Sequence, residues 1–242
     1  ALQIVEPWDE QRTKLAQQFP GVSLLPAASS DLRTSDLVVW AVKPQTFKDA
    51  ALASQPFLAG ALHLSVAAGI TSDSMAGWLQ TQRIVRAMPN TPALVGLGMT
   101  GLFPRAGASD ADRALVEAVV KTTGELVWVA TEHELDAVTA LSGSGPAYVF
   151  YFLEAMRDAG TRMGLPPEVA YQLAVGTFIG ASNLAQRSDD PPQVLRERVT
   201  SKGGTTYAAL TSMESAGVKA SFEAALFAAQ KRAEELGREF GK

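Results

Sequence analysis

Cysteine is absent from the 242 residues. That excludes a disulfide framework, a thiolate nucleophile and a thiolate metal site together. Histidine is scarce, with His63 and His133 the only two. Neither belongs to a cluster with zinc-ligand spacing, so no metal is expected. His63 falls in a strand-like run and reads as core or strand edge, and His133 in the charged turn Glu132-His133-Glu134. Positive charge is also in short supply: 21 basic residues face 25 acidic ones, for a net charge of −4. No arm or face is strongly basic, which argues against nucleic acid as a partner. No apolar run reaches the roughly 18 residues that a membrane helix needs. Residues Ala1–Glu10 lack the basic start and apolar core of a signal peptide. The expectation is a cytoplasmic protein with no membrane partner. What is present is globular in balance, 47% hydrophobic and 19% charged, and the length admits one large domain or two ordinary ones.

The two halves have different rhythms. In the first, short apolar runs at Leu2–Val5, Val22–Leu25, Leu37–Val42, Leu62–Val66, Arg83–Met88, Met99–Phe103 and Leu126–Val129 predict strands. Leu37–Val42 is apolar on successive residues, as a strand buried on both faces is. Helices are predicted over Glu10–Gln18 with Asp9 as cap, Gln45–Ala53, Ser72–Leu79 and Asp110–Thr122. This alternation implies βαβ units and a mostly parallel sheet. The second half carries no strand signal. Helices are predicted over Pro146–Met163, from Pro166-Pro167 to about Leu184, and along the apolar stripe Val218, Phe222, Leu226, Ala229, Ala233, Leu236 and Phe240. The boundary is placed near Thr131, giving domains 1–130 and 131–242. The helix Glu168–Leu184 is apolar on most of its circumference, so it needs burial nearly all round. Gly176 and Gly180 allow close helix approach. A homodimer through the helical domain is expected; a central helix in a monomeric bundle is the alternative.

Four segments have the residue types of a site. Ala41-Val42-Lys43-Pro44 follows the most apolar strand, where an open parallel sheet binds its ligand; an ordinary turn with a surface lysine is the alternative. Arg86-Ala87-Met88-Pro89-Asn90-Thr91-Pro92 is a proline-stiffened turn that presents Asn90 for a ligand amide or hydroxyl, or serves structure alone. Ser142-Gly143-Ser144-Gly145-Pro146-Ala147-Tyr148 opens a long helix at the domain junction, with Ser144 a candidate cap and cleft wall. It follows no strand, so it is not a hydrolase elbow. Val199–Tyr207 places Gly203-Gly204 before a helix, with Ser201, Thr205 and Thr206 adding hydroxyls. That is a nest for a small carboxylate, or else a plain interhelical loop. Lys202 precedes the glycine pair and no strand comes before it, so it is not a Walker loop.

In order and spacing, these four segments resemble the motif set of pyrroline-5-carboxylate reductases along essentially the whole chain. The resemblance implies a Rossmann-like α/β dinucleotide-binding domain followed by an all-α dimerisation domain. It also implies homodimers that assemble further into rings. By the same resemblance, Ala41, Val42, Lys43 and Pro44 line the cofactor site, with Met88, Asn90 and Thr91 toward the nicotinamide. Ser201, Gly203, Gly204 and Thr205 surround the substrate carboxylate, Thr206 faces the ring nitrogen, and Ser144 and Tyr148 form the cleft wall. The implied activity is hydride transfer from NADPH or NADH to 1-pyrroline-5-carboxylate, the last step of proline biosynthesis.

Two departures stand out. The family begins with a strand and a glycine-rich turn that cradles the pyrophosphate. This chain opens at what resembles the second strand, so the first βα unit is missing from its Rossmann-like half. The expectation is a shortened or incompletely recorded domain with weak cofactor binding. Family members also commonly carry proline where Lys202 stands. Glu6, at the end of the presumed second strand, suits ribose hydroxyls and would repel a 2′-phosphate, which favours NADH over NADPH; Arg12 lies too far along its helix to settle the matter. Two rivals stay open. A 3-hydroxy-acid dehydrogenase of the same architecture would place a lysine on the long helix, but Pro146–Gly164 holds only Arg157 and Arg162. A non-catalytic dinucleotide-sensing dimer is the other.

Overall fold

The computed structural model describes residues 2–241, so the domain limits 1 and 242 lie outside the described residues. Contacts divide the chain into two units. One holds Ala1–Gly143 together with Gln230–Lys242, the other Ser144–Ala229.

The first unit alternates strands and helices in the order β1 (Gln3–Val5), α1 (Asp9–Gln18), β2 (Ser23–Leu25), β3 (Leu37–Trp40), α2 (Pro44–Ser54), β4 (Leu62–Ser65), α3 (Ser72–Leu79), β5 (Ile84–Met88), β6 (Gly98–Pro104), α4 (Asp110–Val120), β7 (Gly124–Trp128) and α5 (Glu134–Val138). A π-helical turn, Thr139–Gly143, closes it. The strands form two sheets. β1 and β2 pair in parallel, Gln3 opposite Ser23 and Val5 opposite Leu25. The remaining five lie in sequence order, β3 to β7. All neighbours in that sheet are parallel except β5 and β6, which run antiparallel with Met88 opposite Gly101. Among the described residues β3 therefore pairs on its β4 side only, and Val39 is 50% exposed.

Successive strand residues face opposite sides of the sheet, and the core divides accordingly. Ile84 joins Trp40, Phe47, Met75 and Leu79 under α2 and α3, whereas its neighbour Val85 joins Leu62, Leu64, Leu102 and Val116 under α4. All four residues of β4 are buried. Phe47 is fully buried, and its truncation to alanine is worth about 3–5 kcal/mol. Buried His63 accepts a hydrogen bond at Nδ1 from Trp40 Nε1, 3.0 Å away. Arg83 closes on Asp112 through Nη2–Oδ1 (2.6 Å) and Nε–Oδ2 (3.0 Å), while Asp112 also serves as the third residue of the Ser109 capping box on α4.

The second unit holds α6 (Gly145–Arg162), α7 (Pro167–Gln186), α8 (Pro192–Arg198), α9 (Thr205–Ser215) and the first half of α10 (Val218–Phe240). α6 and α7 form a tight hairpin in which Gly160 meets Ala170: a methyl group added at Gly160 would lie 2.8 Å from Ala170 Cβ. This is the close approach made within one chain, because nothing lies within 4 Å of a methyl added at Gly176 or Gly180. Of the 20 residues of α7 only Ala170 and Ala174 are buried; Leu173, Ile179 and Leu184 are more than half exposed. From Gln230 onward α10 belongs to the first unit. There Phe240 packs against the core under α2 and α3, Leu236 abuts Gly69, and Ser74 Oγ donates to the Gly241 carbonyl at 2.6 Å.

Two expected caps are corrected. Asp9 lies inside α1, whose cap position is Trp8, so its carboxylate acts in the first turn of the helix. Ser144 stands at the cap position of α6, but its backbone is already helical (φ −85°), and its side chain makes no capping bond. A cap residue needs an extended backbone to turn its oxygen onto the first amides.

Candidate functional site

In the first unit the parallel strands β3, β4 and β5 end at Trp40, Ser65 and Met88, so the segments after them leave the same edge of the sheet. Ala41–Lys43 crosses from β3 to α2, and Pro44 opens that helix with its fixed φ. Ala41 and Lys43 are exposed, whereas Val42 is half-buried against the core. The Lys43 carbonyl accepts from Thr46 N (3.0 Å) and Thr46 Oγ1 (3.2 Å), which holds the bend while leaving the lysine side chain in solvent.

Met88 ends β5 half-buried, with its methyl group against Gly143. Asn90 then caps the 3₁₀ turn Thr91–Val95 by position, and its side chain looks elsewhere. Its Oδ1 accepts from Met99 N at 2.9 Å, and its Nδ2 donates to the Ser142 carbonyl at 3.1 Å. Asn90 thus fastens the β5–β6 connection to the π-turn, a positioning duty that the sequence alone did not reveal. Thr91 is exposed beside it.

Glu6 follows β1, its N–H bonded to the Leu25 carbonyl at 2.9 Å. Its Oε1 accepts from Trp8 N at 3.0 Å, so the carboxylate is folded over the start of α1. Arg12, in the first turn of α1, reaches back and donates from Nη1 to the Glu6 carbonyl at 2.8 Å. Its Nη2 pairs with Asp9. Sequence reasoning set Arg12 aside as too distant; the signal that finds it is the helical spacing, which returns position 12 to the side of position 9. Trp8, 74% exposed at the same corner, was also passed over.

In the second unit Ser201–Gly204 is a tight turn. Gly204 N donates to the Ser201 carbonyl at 3.0 Å, and Gly203 has φ +75°. A positive φ at the third residue is the type II pattern, which needs glycine there and accepts proline at the second position, occupied here by Lys202. Gly204 leads straight into α9. Its own N–H is spent on the turn, so the amides open to an anion are those of the first turn, Thr205 to Tyr207, which have no partner inside the helix. Ser201, Lys202, Gly203 and Thr205 are exposed, whereas Thr206 is half-buried. With Gly204 between them, these five positions make a small rim of hydroxyls and amides at a helix start, suited to a carboxylate of low molecular weight. Tyr148 of α6 sits edge-on to Phe222 of α10 at 5.7 Å, and Phe222 in turn meets Phe152 at 5.8 Å. The candidate residues fall into a strand-end group in the first unit and a helix-start group in the second.

The family model for pyrroline-5-carboxylate reductase dimerisation matches residues 132–236. A pyrroline-5-carboxylate reductase of Pseudomonas aeruginosa is 41% identical over 239 residues, which cover 98% of this chain and 87% of that protein. Among solved structures, the pyrroline-5-carboxylate reductase of Coxiella burnetii superimposes with a TM-score of 0.89 at 34% identity, over 97% of this chain and 87% of that one. A pyrroline carboxylate reductase of Plasmodium falciparum with NADP bound gives 0.82 at 30% identity, over 89% and 82% of the two chains.

Proposed function

The chain belongs to the pyrroline-5-carboxylate reductase family and is an NAD(P)H-dependent oxidoreductase, and from that premise we infer which of its residues do the work. The reaction is reduction of the C=N bond of 1-pyrroline-5-carboxylate to give L-proline, the last step of proline biosynthesis. The observation that carries the assignment is the Ser201–Thr206 turn, where a left-handed Gly203 sets exposed hydroxyls and open amides at the start of α9. Ser201, Gly203, Thr205 and the first amides of α9 hold the substrate carboxylate, and Gly204 contributes by closing the turn. Thr206 directs its hydroxyl at the ring nitrogen, while Ser144 and Tyr148 shape the wall. A protonated imine is already electrophilic. Positioning therefore carries the rate, which fits a sequence with no cysteine and only two histidines.

The dinucleotide fits the strand-end group. Val42 and Met88 offer half-buried apolar surface for a flat ring, and Ala41, Lys43 and Thr91 are exposed around them. Pro44 and Asn90 hold the two loops in shape. Bound there, the reduced cofactor supplies the hydride. Of the two cofactors we favour NADH. The Glu6 carboxylate at the end of β1 suits ribose hydroxyls, and Arg12 is already committed to the Glu6 carbonyl and to Asp9. We assign dinucleotide binding to residues 1–130 and substrate binding and dimerisation to 131–242. Homo-oligomerisation follows from the dimerisation region at 132–236; the specific form proposed is a homodimer through α7, with rings of dimers above it, in the cytoplasm.

The test is direct. Added 1-pyrroline-5-carboxylate should consume the absorbance of reduced cofactor, with kcat/KM for NADH above that for NADPH. A strong NADPH preference overturns the reading of Glu6, and no turnover with either overturns the enzyme.

A further inference from the structure

We propose that Asp9 sets the choice of dinucleotide by engaging the Arg12 guanidinium, which would otherwise be open to a 2′-phosphate. The inference rests on the reading of the β1 end as the site of the adenosine ribose. Three side chains, those of Glu6, Asp9 and Arg12, bear on that corner. Glu6 folds its carboxylate back to Trp8 N (3.0 Å), and Arg12 is seated by its bond to the Glu6 carbonyl (2.8 Å). The Arg12 side chain is 20% exposed, so it is held in one place and does not sweep the solvent. Asp9, whose side chain is 91% exposed, closes on the outer edge of the same guanidinium. The next charge along, Lys14, is taken by Glu10 at 2.7 Å.

The consequence is chemical. Arginine presents five donors in a fixed fork and recognises phosphate through two of them at once. Arg12 spends Nη1 on a backbone carbonyl, which anchors it without neutralising it. Its Nη2 goes to a carboxylate, which offsets its charge where a dianionic phosphate would arrive. Across residues 6–14 three acids (Glu6, Asp9, Glu10) outnumber two bases (Arg12, Lys14). A 2′-phosphate therefore meets net negative charge and a cation already paired, whereas a ribose hydroxyl can donate to Glu6. Removing the Asp9 carboxylate leaves Arg12 seated on Glu6 with its outer edge open, a ready anion donor. Asp9 is a specificity-determining residue that acts through Arg12 and need not touch the cofactor.

Asp9→Asn keeps the size of the side chain and removes its charge. In the intact enzyme it should raise the ratio of kcat/KM for NADPH to that for NADH about 5- to 10-fold, through a lower KM for NADPH with little change in kcat. A fragment readout runs alongside: adenosine 2′,5′-bisphosphate should inhibit Asp9→Asn more tightly, relative to AMP, than it inhibits the parent. Adding Arg12→Ala should return both quantities to the parent's values. If the gain survives Arg12→Ala, it is plain charge removal and the proposal falls. If Asp9→Asn leaves the ratio within twofold while Glu6→Gln moves it, the proposal falls and the ribose site stands. If neither moves it, both fall.

Discussion

Thr206 is the residue on which the proposed chemistry leans most, half-buried in the first turn of α9. Thr206→Ala should lower kcat/KM roughly 10- to 100-fold, about 1.4–2.7 kcal/mol of transition-state stabilisation. Activity within about twofold of the parent removes it from the mechanism. His63 governs a different property. Burial, reinforced by the charge of Arg83, holds its pKa down at about 4. The folded state therefore favours the neutral imidazole, as does the Trp40 N–H bonded to its ring. Stability is fully present above the unfolded value near 6.5 and drains away as pH falls from there toward 4, by up to about 3 kcal/mol. The urea midpoint should drop between pH 7 and pH 4.5, and replacing His63 by Gln should flatten that dependence; an unchanged slope refutes it. Asp112 is held down at about 2, first by its hydrogen bond from Arg83, so its loss comes only below the ordinary carboxylate range and leaves this window clear. At this scale the sequence was legible in residue type and less so in duty. Asn90 stood out as a polar group on a stiff turn, yet its partner Ser142 lies 52 residues away, beyond any local pattern.

Among elements, periodic segments were read well. α3 spans the predicted Ser72–Leu79 and α10 carries the predicted stripe, because repeated apolar spacing leaves little choice of face. Short elements were lost: α5, the π-turn and α8 run five to seven residues, less than the two turns over which a period can declare itself. The reversal of β6 was also invisible, since direction in a sheet depends on the return path of the chain. That strand begins against β7 at two facing glycines. Gly124 has φ +143°, and a methyl group there would run into the backbone of Gly98. Gly124→Ala should therefore cost about 3 kcal/mol, combining a left-handed backbone with a clash that neither strand can relieve. A fall in urea midpoint to match is the check, and a neutral result would mean the β6–β7 entry is looser than described.

For the whole molecule, the apolar circumference of α7 is a surface that one chain leaves uncovered, and the homodimer proposed through it follows from that. Leu173 and Ile179 stay exposed, and Gly176 and Gly180 meet nothing. Placing Glu at both Leu173 and Ile179 should turn the homo-oligomer into a monomer by light scattering, while leaving the far-ultraviolet dichroism of the helices intact. An unchanged oligomer moves the interface off α7. The split of the first unit along the chain was less legible, because the stripe of α10 shows which face is apolar and not which elements receive it. That split also has a consequence in time. The stretch from Gln230 onward completes the first unit, seating Phe240 in the core and Gly241 on Ser74. The ribosome makes it only after the 86 residues of Ser144–Ala229 have been added, about 4–17 s later at 5–20 residues per second. During synthesis the earlier stretch of the first unit thus waits, unfinished, for the later one, and nascent chains halted at Ala229 should be cut by protease within residues 1–143.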